Sequence, residues 1–157
     1  MRPTNSSMKG SPFRFRLERI RELRERKEDE AKRALAAAIT EHFLAEEQVR
    51  EAERRIEGAR AAQLDAAASG RSGLELVAHQ AYLERTETAR KASLHALDRR
   101  ELELADRRDE LSEAARDRQA LERLKERRRA EYQQEAARIE SLLLDEIAIN
   151  NFRRSAA

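Results

Sequence analysis

Cysteine and tryptophan are absent from this chain, aromatic residues make up only 4% of it, and its 157 residues include just four glycines and two prolines. Each shortage narrows the possibilities. The lack of cysteine fits a reducing compartment. So few aromatics beside 41% charged residues lie far from the balance of a packed single-core domain. No apolar run is long enough for a membrane span or a signal core; the longest core-like tract, Ile139 to Ile149, is interrupted by acids. A strong charge of one sign is missing too. Thirty-three Lys and Arg stand against thirty-one Asp and Glu, so the net charge is only +2 and the pI of 9.2 overstates how basic the surface is. Mixed charge of this kind marks a solvated elongated chain. A nucleic-acid footprint would need a one-sided basic face, which has to be sought locally. Together these features make the chain cytoplasmic and not globular.

What is present is helix-forming sequence. Both prolines, Pro3 and Pro12, lie near the start, and after Gly10 the only glycines are Gly58, Gly70 and Gly73. Ala, Glu, Arg and Leu dominate the rest, which predicts helix throughout. From Ala31 to Ala66 small and apolar positions repeat with an unbroken 4,3 spacing: Ala31, Leu35, Ala38, His42, Ala45, Val49, Ala52, Ile56, Ala59, Gln63 and Ala66. A repeat of 3.5 residues faces a partner only when the helices supercoil left-handedly, so this is a coiled-coil strand. One rail is almost entirely Ala and allows close approach, while Leu35, His42, Val49, Ile56 and Gln63 supply the larger knobs.

The organisation follows from local signals. Residues 1–12 are polar and predict a disordered arm, with Ser11-Pro12 as a helix start. Phe13, Leu17, Ile20 and Leu23 begin a seam that weakens where Arg24, Lys27 and Glu28 fall on it. Ser69-Gly70-Arg71-Ser72-Gly73 is the only interior cluster of turn residues, with Gly70 placed as a left-handed C-terminal cap. Ser72-Gly73-Leu74-Glu75 is an S-x-x-E capping box opening a second helix. A connection this short makes the helices antiparallel neighbours. The expected fold is therefore all-α: a coiled-coil hairpin over residues 13–152, with helix 1 at 13–68, a turn at 69–73, helix 2 at 74–150 and a tail at 153–157. Leu94, Leu97, Leu104, Leu111, Ala114 and Leu121 form the facing seam, continued by Tyr132, Ile139, Leu142 and Leu143 and interrupted by Arg118, Lys125 and Arg128. At about 1.5 Å per residue helix 1 spans about 80 Å and helix 2 about 115 Å, so residues beyond Arg129 overhang the start of helix 1. Two helices alone offer no concave pocket of the size an active site needs, which argues against an enzyme.

Three constellations bear on function. His42, His79 and His95 show no spacing that would hold a metal on one helix face, and His42 reads as a polar seam residue that fixes register; no metal or cofactor is expected. Arg116 to Arg129 holds seven basic and three acidic residues, and Arg14, Arg16, Arg19, Arg21, Arg24, Arg26 and Lys27 lie beside it across the hairpin. A solvated face with ion pairs, a surface that docks on an acidic protein, and a site for nucleic acid or anionic lipid all stay open for it. The tract lacks aromatics to stack on bases. In the overhang, Tyr132, Ala136, Ile139, Leu142, Leu143, Ile147 and Phe152 recur at the helical spacing of a docking stripe.

These residues together resemble the FliJ family of flagellar export proteins. The likeness lies in the aromatic-apolar start Phe13-Arg14-Phe15-Arg16-Leu17, a hairpin with Tyr82-Leu83 near its turn, and Leu121-Glu122-Arg123-Leu124-Lys125-Glu126-Arg127-Arg128 followed by Glu131-Tyr132. It closes with Leu144-Asp145-Glu146-Ile147-Ala148 before Phe152-Arg153-Arg154. His79 and Gln80 stand before Tyr82, where the family often has another aromatic. The resemblance implies a non-enzymatic stalk of the type III export apparatus, similar to the central coiled coil of rotary ATPases; injectisome stalks share the design. It implies a hexameric export ATPase, a membrane export gate protein and export chaperones as partners, and a place at the cytoplasmic face of the inner membrane. Carried onto this chain, the ATPase-binding residues are Phe13, Leu17, Ile20, Leu121, Arg123, Lys125, Arg127, Arg128, Tyr132 and Ile139, and the gate-binding residues are Gln80, Tyr82 and Leu83. Two other classes stand beside it: a basic coiled coil on nucleic acid, and a homo-oligomeric spacer.

Overall fold

A computed structural model describes residues 12–155. Among them are two helices, α1 (Glu18–Ala68) and α2 (Gly73–Ser155), packed against each other as a hairpin, and no strand. The chain divides into two compact units, residues 27–114 and residues 1–26 with 115–157.

The first unit holds the Ala-rich seam. Ala38, Ala45, Val49, Ala52, Ile56, Ala59 and Ala66 are all buried, and Leu35, His42 and Gln63 are half-buried between them. The 4,3 repeat read from the sequence is thus the packed face of α1. On α2 the facing positions are Leu76, His79, Leu83, Thr86, Leu94, Leu97 and Leu104, all half-buried or buried. Small residues on one rail and larger ones opposite bring the backbones close, and dispersion across that narrow gap adds to burial. Polar contacts set the register: the Gln63 amide donates to Gln80 Oε1 at 2.8 Å, and Arg100 reaches Glu41 at 3.3 Å. His42 lies between Glu46 and Glu101, 4.0 and 3.8 Å away, as a polar seam residue, and no group of ligands suited to a metal ion occurs among the described residues.

The turn forms as its residues dictate. Gly70 has φ 65°, a region that costs any residue with a Cβ. Arg71 N–H donates to Ala66 O at 3.2 Å and Gly70 N–H to Ala67 O at 3.4 Å, the paired bonds of a Schellman cap. The capping box then closes: Glu75 Oε2 accepts from Ser72 N–H at 3.0 Å, and Ser72 Oγ accepts from Glu75 N–H at 3.4 Å. The Ser72 backbone N–H, the largest influence, holds the Glu75 carboxyl below its ordinary value.

In the second unit the described residues of the α1 strand begin outside the helix. Residues 12–15 are irregular and 16–17 form a turn, so α1 starts at Glu18, not at 13. Glu18 N–H bonds Phe15 O at 3.1 Å, and the first four-residue bond runs from Arg21 N–H to Leu17 O at 2.9 Å. Phe13 leaves the helical path because its ring packs on Tyr132, with centroids 5.7 Å apart and planes at 49°. At the other end α2 continues to Ser155, five residues past the expected end, with Arg153 and Arg154 in its last turn, where positive charge favours the helix dipole. The expected arm at 1–12 lies, apart from Pro12, outside the described residues, as do Ser11 and the last two residues of the expected tail.

Candidate functional site

The second unit gathers the basic tract. Residues 12–26 and 115–132 carry thirteen basic and seven acidic side chains, the one place where charge is one-sided. Part of that charge is used internally. Arg21 donates to Glu18 and Glu122, both at 2.8 Å, and lies 3.3 Å from Glu25; Glu18, then Glu122, raises its pKa further. Lys125 Nζ sits 2.9 Å from Glu18, and Arg24 is 2.6 Å from Asp117. The Lys125 ammonium, then Arg21, keeps the Glu18 carboxyl below its usual range. Arg128 pairs with Glu131 at 2.9 Å. Arg123, Arg127 and Arg129 are exposed and form no ion pair among the described residues.

The sequence-derived candidates divide accordingly. Phe13, Leu17, Arg128 and Tyr132 come together with Phe15 and Leu124 around an open groove of about 790 Å³. Two helices were expected to offer no concavity; this groove is lined on one side by residues 12–17, which precede the helix, and on the other by Leu124, Arg128 and Tyr132 of α2. Leu124 was missed because it lies beside, not on, the apolar repeat of α2. Leu121 and Lys125 are half-buried on the seam, so they serve the hairpin itself, whereas Arg123 and Arg127 face solvent. Ile20, 45% exposed, stands outside the groove.

Ile139 belongs to a different surface. From 126 to 155 every α2 residue is exposed, including Ile139, Leu142, Leu143, Leu144, Ile147, Ile149 and Phe152. They recur on α2 without a facing helix segment among the described residues. The stripe starts at Tyr132, beside the groove.

Near the turn the three remaining candidates do not share a face. Leu83 is half-buried on the seam. Gln80 is engaged by Gln63 and in turn donates to Glu84 at 2.9 Å. Tyr82, 46% exposed, borders an open groove with Leu44, Ala52, Thr86 and Ala89. Only Tyr82 is free to meet a partner broadly.

No described helix is long and apolar enough to cross a membrane. A family model described as "Flagellar FliJ protein" matches residues 13–157. No curated protein and no solved structure matches the chain.

Proposed function

The chain belongs to the FliJ family of flagellar type III export components, and from that premise we propose that it is a non-enzymatic coupling stalk whose basic, apolar-striped surface docks on the export ATPase ring. The observation that carries this reading is the presence of three features in one unit: the exposed Arg123 and Arg127, a groove bordered by aromatics, and the exposed apolar side chains of α2 from Ile139 onward. Arg123 and Arg127 steer an acidic ring and set its register. Phe13, Leu17 and Tyr132 anchor at the groove, and Ile139 anchors farther along α2. Leu121 and Lys125 support that surface from the seam, and Ile20 borders it. Tyr82, backed by Gln80 and Leu83, is the contact for the membrane export gate, which places the protein at the cytoplasmic face of the inner membrane. Escort of export chaperones belongs to the same reading.

The test is export-ATPase activity and hexamer formation with and without this protein at moderate salt. Stimulation at less than one stalk per ATPase subunit is expected. The double charge reversal Arg127→Glu and Arg128→Glu should abolish stimulation while helical content by circular dichroism stays the same. Stimulation that survives the reversal would remove the basic surface from the coupling role.

A further inference from the structure

The positions that extend the α1 repeat toward its start are Glu28, Arg24, Arg21 and Leu17, in step with the 4,3 spacing of the Ala-rich seam. Three of the four are charged, and of these only Glu28 is buried. None of residues 12–26 and none of residues 115–132 is buried. Their attachment across the hairpin includes the ion pairs Arg21 to Glu122, Arg24 to Asp117 and Lys125 to Glu18, beside the Phe13–Tyr132 contact and the half-buried Phe15, Leu17, Leu121 and Leu124. Partly exposed ion pairs are individually weak and are screened by salt, whereas apolar burial is not weakened that way. Apolar seam residues at positions 21 and 24 would have made a salt-insensitive coil.

We propose that residues 13–26 form a releasable strap on α2, held by charge and let go by rising ionic strength or by a competing charged surface. Seated, the strap builds the groove with Phe13 and Leu17. Released, it dismantles the groove and uncovers Leu121 and Leu124, which join Tyr132 and Ile139 in one longer apolar stripe on α2. The docking end thus has two forms. That consequence rests on the docking reading above; the strap itself does not.

Amide hydrogen exchange on the full chain, without any partner, tests the strap. Between about 0.01 and 1 M salt the screening length falls from about 30 to about 3 Å. Exchange at residues 22–26 should accelerate by about tenfold or more, while residues 49–66 of the same helix keep their protection. Equal responses in the two segments, or none at 22–26, would overturn the proposal. The double variant Arg24→Leu with Asp117→Leu replaces one of these ion pairs by an apolar seam pair and should reduce the salt response at 22–26, with Arg21–Glu122 and Lys125–Glu18 still in place; a response as large as in the unaltered chain would also overturn the strap. Failure of the Arg127 and Arg128 reversal to affect the ATPase would count against docking alone and leave the exchange result standing.

Discussion

In residues 27–114 most of the α1 seam is buried Ala, Val and Ile, with Leu35, His42 and Gln63 half-buried among them, whereas in residues 12–26 and 115–132 nothing is buried and ion pairs between half-buried side chains join the helices. Every buried residue of the described chain belongs to the first of these units. Both carry ion pairs between the helices, Arg60 with Glu87 and Arg100 with Glu41 in the first, but only the first adds a buried apolar seam that excludes water. The first arrangement is cohesive and sealed. The second keeps arginines and apolar side chains available to something else, at the cost of cohesion. A single fold thus separates the part that makes the hairpin stable from the part that can bind.

Substitutions at matched seam positions should give the largest contrast. Ile56→Ala, at a site 6% exposed, should lose about 3 kcal/mol through lost burial and the cavity left behind. Leu121→Ala, half-exposed, should lose about 1 kcal/mol. Thermal unfolding followed by circular dichroism measures both, and equal losses would erase the distinction between the units.

The turn gives an intermediate effect. Nothing lies within 4 Å of a Cβ built on Gly70, so Gly70→Ala meets no clash and its cost is purely conformational, about 1 kcal/mol for the left-handed region. Chemical denaturation should show that loss with an unchanged slope. No loss would mean that the turn rearranges without effect on the hairpin.

The smallest effect is that of pH. Glu75 and Glu18 both have carboxyls held below their ordinary value, by Ser72 and by Lys125 respectively. A depressed carboxylate contributes stability that is fully present above its unfolded value and is lost as pH falls through the folded one. Both contributions should therefore be intact at neutral pH and disappear in the acid range below the ordinary carboxylate value of 4.5. The two differ in their response to salt, since the Glu18 partners are charged and the first partner of Glu75 is a backbone N–H. Carboxyl titration by NMR at low and high salt should move Glu18 toward its ordinary value and leave Glu75 nearly in place. Identical salt responses would break the comparison.

The parts legible from sequence were those governed by neighbours along the chain. The repeat from Ala31 to Ala66, Gly70 as cap and the Ser72–Glu75 box each depend on residues within a turn or two, where helix geometry fixes what meets what. Tyr82 and Leu83 were taken together from the family resemblance; successive residues on a helix point about 100° apart, and the fold half-buries Leu83 on the seam while exposing Tyr82. Arg24 looked like an interruption because a hydrophobic pattern has no symbol for a charged seam residue whose partner, Asp117, lies far along the chain. The same distance concealed the packing of Phe13 on Tyr132, and with it the start of α1 at Glu18 and the groove beside Leu124.

By itself the amino-acid sequence determined that this chain is helical, where it reverses, and which face of α1 is packed, because propensity, capping and a 3.5-residue period act over short spans. Only the tertiary structure decided which charges are spent on holding the hairpin and which are left for a partner. Ion pairs such as Lys125 with Glu18 depend on the distance between side chains brought together by folding, and no pattern along one strand encodes that distance.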